Sequence, residues 1–170
     1  MQNSESTMST RPLYRERLTP SLWMLAAAIA LVPMVTLVFV RVEPTIALGI
    51  GVAVGFAVIA LLIALSPVVE VSGGELRAGR AHIPVRFLAD PKPFTREEAR
   101  AARGQNLDAR AWHLIRGGID GVVTVAVTDP VDPTPVWVVS SRTPDRLAAA
   151  IRAASVQAAH SRQIGPSAVS

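Results

Sequence analysis

The sequence predicts an α-helical membrane hairpin joined to one small α+β domain. Three observations carry this. Two apolar runs of 20 and 21 residues contain no charge, only four residues separate them, and ordinary globular patterning begins after Pro67. Half of the 170 residues are hydrophobic, and the excess lies between Ser21 and Leu65.

The first run, Ser21 to Val40, reads SLWMLAAAIALVPMVTLVFV, and the second, Thr45 to Leu65, reads TIALGIGVAVGFAVIALLIAL. About 20 apolar residues at a rise of about 1.5 Å cross a hydrocarbon core of roughly 30 Å. Residues 21–40 and 45–65 are therefore expected as transmembrane helices, with 41–44 as a short external loop. So short a loop enforces an antiparallel hairpin, and Pro44 disfavours helix at Glu43. The first run is too long for a signal peptide, and no small-residue cleavage site follows it.

Two spans place both termini on one side of the bilayer. Arg11, Arg15 and Arg17 flank the first span, Arg77, Arg80 and Arg86 follow the second, and the loop holds only Arg41. The positive-inside rule then predicts a multi-pass plasma-membrane protein with both termini cytoplasmic. Tyr14, Arg15, Arg17 and Trp23 are expected as interfacial anchors. Residues 1–20 form the N-terminal cytoplasmic segment, partly disordered, and nothing before Met8 is patterned, so either methionine serves as the start. A second expectation for this segment is docking on the soluble domain, with Glu16 pairing to a strand arginine.

Within the spans, Gly51 and Gly55 form a G-x-x-x-G, and Ala27 and Ala30 belong to a small-residue face of the first span. Such faces let helix backbones approach closely. A packed hairpin and a homo-oligomer through the second span are both consistent with them, as is the general abundance of glycine and alanine in membrane helices. Pro33 is expected to kink the first helix. No ionisable residue lies inside either span, so the pair is poorly equipped for transport or proton relay.

Residues 68–160 are expected to fold as a cytoplasmic domain, followed by a disordered tail at 161–170. VVEVSGGEL at Val68–Leu76 is a hairpin about Gly73-Gly74, and RAGRAHIPVRFL continues the strands past a turn near Gly79. Ala89 to Phe94 holds two prolines and is expected as a loop. Thr95 and Glu98 stand in capping-box spacing before a short helix that Gly104 ends. Ala111–Arg116, Gly121–Thr128 and Val136–Ser140 are expected strands, the last two joined by the turn DPVDPTP. Thr143, Pro144 and Asp145 open a terminal helix that fades near His160 and carries an apolar stripe of Leu147, Ala150, Ile151, Ala154 and Ala158. Several antiparallel strands closed by an amphipathic C-terminal helix predict a small antiparallel β-barrel or bent sheet of pleckstrin-homology-like layout.

YRERL at Tyr14–Leu18, GELRAGRAHIPVRF at Gly74–Phe87, VTDPVDPTPVWVVSSR at Val127–Arg142 and TPDRLAAAIRAA at Thr143–Ala154 carry a resemblance. As a set they resemble an uncharacterised family of small two-span membrane proteins from high-GC Gram-positive bacteria, similar in layout to bacterial membrane proteins with pleckstrin-homology-like domains. The resemblance implies the architecture and assigns no activity.

The chemistry-bearing residues are sparse. The absence of cysteine excludes disulfides, thiolate catalysis and cysteine-ligated zinc. Residues 68–160 carry 12 basic and 10 acidic residues, too balanced for a nucleic-acid binder. His82, His113 and His160 lie apart, and no metal or other cofactor is expected. Ser72, Ser140 and Ser141 stand outside any nucleophile motif, and Asp129 and Asp132 alternate with prolines as turn residues. No catalytic residue is assigned. Arg77, Arg80, His82 and Arg86 form a patch that either solvates a strand face or contacts anionic lipid headgroups or a similar ligand.

The leading expectation is a membrane-tethered, non-enzymatic interaction module whose partner is an unknown protein or an anionic headgroup. An accessory subunit that associates through its transmembrane helices is the alternative. An envelope-related enzyme is a third reading, and it needs acids such as Asp90, Asp108 or Asp120 to converge.

Overall fold

The structure, a computed structural model, describes residues 11–41 and 43–164. The expected disorder of the first ten residues and of 165–170 lies outside these. The chain divides into two compact units. One is a helical hairpin built from Arg17–Pro67 together with Arg116–Ile119, and the other is an α+β unit built from the rest.

In the hairpin, α1 spans Leu22–Phe39 and α2 spans Pro44–Ala64. Both are long and apolar enough to cross a membrane. Their starts follow from capping chemistry. Ser21 is extended, and its hydroxyl accepts from Met24 N; Glu43 is extended, and its carboxylate accepts from Ile46 N at 2.9 Å. Pro44 then supplies a preset φ at the first helical position. α1 continues through Pro33 without a break.

The helices pack through their smallest residues. Ala28 of α1 and Ala47, Gly51 and Gly55 of α2 are the buried positions. A Cβ on Gly51 would collide with Thr36 Oγ1 and come within 2.7 Å of the Val32 carbonyl oxygen. One on Gly55 would lie 2.6 Å from Val32 Cγ2. Gly51 thus admits the α1 backbone, and Gly55 makes room for the Val32 side chain.

The α+β unit contains two sheets. β1 (Tyr14–Arg17), β2 (Val68–Ser72), β3 (Glu75–Ala78) and β4 (Ala81–Pro84) form the first, in that spatial order. Gly73 and Gly74, both at positive φ, make the two-residue turn that pairs Ser72 with Glu75. β1 is held by Leu13 N donating to Val71 O at 2.9 Å. The N-terminal segment is therefore a strand of the sheet, so this layer begins well before Val68.

A short 3-10 turn, Val85–Phe87, leads to the second sheet. Its strands are β5 (Leu88–Phe94), β6 (Trp112–Leu114), β7 (Val122–Val127) and β8 (Val136–Ser140), in the order β5-β7-β8-β6. β5 corrects the expected loop. Among the described residues it pairs only with β7, its register shifts between Ala89 and Lys92, and Asp90 there has φ of 48°. Proline is tolerated at such an edge and bulge because no second strand needs its missing N–H. β6 runs parallel to β8, whereas every neighbouring pair was expected to be antiparallel. Trp112 and Trp137 face each other across that pair, with ring centroids 4.1 Å apart.

α3 (Arg96–Arg103) and α4 (Pro144–Ile164) complete the unit. α4 continues past His160, the expected end, into the stretch expected as tail. It buries Leu147, Ala148, Ala150, Ile151 and Ala154, and packs on β5, β7, β2 and the 3-10 turn. Leu76, Val69, Val71, Val85, Val123 and Val125 are likewise fully buried. α3 packs on β5 and β7, its Ala99 set against Val122 and Val138. Neither sheet closes on itself. Of the two expected forms, closed barrel or open bent sheet, the sheets are open: the eight strands among the described residues divide at the 3-10 turn into two sheets rather than one continuous ladder.

Candidate functional site

The expected basic patch lies on the first sheet. Arg77 of β3 stands opposite Glu70 of β2 and His82 of β4, and Glu70 pairs with Arg15 of β1 at 3.7 Å. Residues in register on neighbouring strands point to the same face. The outer face therefore carries a transverse row, Arg15, Glu70, Arg77 and His82, in which acid and base are mixed. Arg77 also pairs with Glu75 at 3.4 Å. Arg80 sits exposed in the turn between β3 and β4, and the Arg86 guanidinium lies 4.7 Å from the centre of the Phe87 ring. Of the four patch residues the register places Arg77 and His82 side by side, and the row they belong to does not present a field of one sign.

Among the expected anchors, Trp23 is 82% exposed on α1, and Arg17 Nη2 donates to Ile63 O at 2.9 Å. Tyr14 corrects the expectation: it is buried in β1, not displayed at an interface. Ala27 and Ala30 are exposed on α1, and Ala28 between them makes the buried contact.

Tyr14 belongs to a polar network that was only partly legible in the sequence. Alternation along β1 turns Tyr14 and Glu16 inward and Arg15 outward. Inside, both meet the segment between β8 and α4. The Tyr14 hydroxyl donates to Glu16 Oε2 and lies 2.9 Å from both Ser141 Oγ and Thr143 Oγ1. Ser141 Oγ donates to Glu16 Oε2 at 2.8 Å, and Arg142 N donates to Oε1 at 3.0 Å. Thr143 N donates to Ser141 Oγ at 3.0 Å, and the Arg142 guanidinium reaches Glu16 at 3.6 Å. Glu16 does dock on the α+β unit, but its arginine lies in the turn before α4 and not on a strand.

The network explains the protonation of Tyr14. Burial holds the phenol above its ordinary range, the donor bond to the Glu16 carboxylate adds to this, and the Ser141 and Thr143 hydroxyls oppose it. The phenol therefore stays a donor. Ser141 is fully buried, its proton is committed to Glu16, and its oxygen accepts from Thr143 N.

A different arrangement lies on the second sheet. Phe94, Ala101, Ala102, Thr124, Val136 and Val138 line an open, mainly apolar cleft of about 420 Å³ between α3 and strands β5, β7 and β8. Glu98, Asn106 and Asp108 complete its lining. Asp108 is engaged by Arg110, whose N donates to Oδ1 at 2.8 Å. Glu98 was expected to close a capping box with Thr95. Thr95 does occupy the N-cap, but it makes no side-chain capping bond, and Glu98 lines the cleft. Among the described residues no three metal-ligating side chains converge.

The model of one protein family matches residues 13–151, nearly the whole described chain, and the chain belongs to that family, DUF3093, a protein family of unknown function. No curated protein and no solved structure matches it.

Proposed function

We propose that this chain is a membrane-anchored, non-enzymatic binding module of the plasma membrane, with α1 and α2 as the anchor and the α+β unit as the binding part. The observation that carries this reading is the hairpin. Apart from the seam of Ala28, Val32, Ala47, Gly51 and Gly55, most of its large apolar side chains are turned outward. Exposed Leu22, Ile29, Met34, Leu37, Phe56 and Leu61 form a surface suited to lipid and costly in water. The arginines on either side of the hairpin favour both termini on the cytoplasmic side.

The binding part is read from its second sheet. An open apolar cleft with a few polar groups is the usual form of a ligand site. Ser141 and Glu16 are saturated by their own neighbours, which leaves them without a role as nucleophile or base. The mixed signs of the Arg15, Glu70, Arg77 and His82 row weaken the headgroup expectation, because Glu70 and Glu75 offset the attraction of Arg77 for an anionic surface. We read the two sheets and α4 as an opened relative of the pleckstrin-homology-like layout.

Membrane fractionation tests the anchor. The chain is expected to sediment with membranes and to resist alkaline carbonate, and release by carbonate would overturn the proposal. Orientation is read by Arg41→Cys and Ser161→Cys with an impermeant thiol reagent on intact cells, since the chain has no other cysteine. Labelling of the loop position alone is the expected result. The accessory-subunit reading keeps Ala27 and Ala30 as its contact face, because Gly51 and Gly55 already pack on α1.

A further inference from the structure

We propose that the cleft between α3 and the second sheet binds a small cationic amphiphile, an apolar body bearing one amine, with Glu98 as its counter-ion. This rests on reading the α+β unit as a binding module and does not depend on the anchor.

Three observations point to that ligand class. The first is size and lining. A cleft of about 420 Å³ walled by Phe94, Ala101, Ala102, Val136 and Val138 accepts a small molecule with an apolar body. A helix or strand of a partner protein needs a longer groove. The second is sign. Both ionisable groups in the lining, Glu98 and Asp108, are acidic, and among the described residues no basic one lines the cleft. An anionic ligand would meet like charge, and a neutral one would remove water from the carboxylates without replacing it.

The third observation concerns Glu98 itself. Asp108 is already held by the backbone and side chain of Arg110. Glu98 has no ion pair or hydrogen bond among the described residues, and the capping bond that would give it a structural role is not made. A carboxylate on the wall of an apolar cleft, without a structural partner, is suited to hold an ammonium group at its edge. Because Glu98 is exposed, the gain is modest: an exposed ion pair contributes about fivefold in affinity.

The test uses the full chain in zwitterionic lipid nanodiscs, with empty nanodiscs as the blank. Phenylbutylamine, phenylbutanol and phenylbutyrate share one apolar body and differ in charge, and ligand-observed magnetic resonance reads their saturation. The amine is expected to bind saturably, about fivefold more tightly than the alcohol at low salt, and the carboxylate more weakly than either. Glu98→Gln should remove the preference for the amine while leaving the alcohol's affinity in place. Ala102→Phe and, separately, Thr124→Leu should fill the cleft and abolish binding of both, with the near-ultraviolet dichroism of the Trp112–Trp137 pair reporting that the fold is kept. Equal affinity for amine and alcohol overturns the proposal, as does a preference that survives Glu98→Gln or binding that survives both filling variants. Failure of all three probes to saturate also overturns it, and alkaline extraction then reports separately on the anchored reading.

Discussion

Two acidic residues of the α+β unit, Glu16 and Glu98, occupy opposite situations. Glu16 is 13% exposed at its side chain and receives the Tyr14 hydroxyl, the Ser141 hydroxyl, the Arg142 amide and the Arg142 guanidinium. Glu98 stands on the wall of an open cleft with none of these. A half-buried carboxylate held by several donors stabilises the fold through those bonds. A carboxylate without partners contributes little to the fold and keeps its acceptors free. The contrast teaches that the larger polar cluster spends its hydrogen bonds on its own neighbours, whereas the carboxylate on the apolar cleft keeps its acceptors open.

Breaking the first half of the contrast should have the largest effect. Glu16→Ala leaves the buried Ser141 hydroxyl without its acceptor and removes the acceptor of the exposed Arg142 amide, at a cost of about 2 kcal/mol in stability. Denaturant unfolding of the full chain followed by tryptophan fluorescence reads this, and a loss below about 1 kcal/mol would show the network to be dispensable. Tyr14→Phe removes one member and leaves Ser141 still donating to Glu16. The expected loss is about 1–2 kcal/mol in the same measurement.

The pH dependence follows from the same phenol. Its pKa is raised in the fold, so above the ordinary tyrosine value near 10 the unfolded chain gives up a proton that the folded chain retains. The stabilisation from Tyr14 is therefore fully present below about pH 10 and declines as pH rises beyond it. The chain has one tyrosine, so absorbance of the tyrosinate band reports this group alone. Its midpoint should lie above that of the denatured chain, and coincident midpoints would contradict the buried network. Tyr14→Phe should flatten this part of the stability profile.

The smallest effect sharpens the other half. Glu98→Gln should change stability by less than about 0.5 kcal/mol, as for a surface substitution away from structural contacts. A larger loss would mean that Glu98 supports α3 after all.

How much of this was legible is best seen element by element. Both membrane-length helices were, because a charge-free run of 20 residues has few other fates. Gly73-Gly74 and the stripe of α4 were legible for a similar reason: a turn or a helix face is set by residues close in the chain. β5 was missed because Pro91 and Pro93 deny a strand only when both of its edges are paired, and nothing local says that β5 is paired on one. The Thr95–Glu98 spacing was read as a capping box, yet spacing states what two side chains can do and not whether they do it. The docking of Glu16 was anticipated in outline. Its partners were not, since Ser141, Arg142 and Thr143 lie more than a hundred residues away.

The sequence by itself determined the apolar hairpin, most of the strands and the closing helix, because each depends on periodicity, capping or charge within one short segment. Only the tertiary structure decided that Tyr14 and Glu16 belong to the α+β unit, that β6 runs parallel to β8, and that eight strands form two open sheets. Those outcomes depend on which distant segments meet, and the free energy that selects them comes from burial and hydrogen bonds shared between elements, not from any residue's local preference.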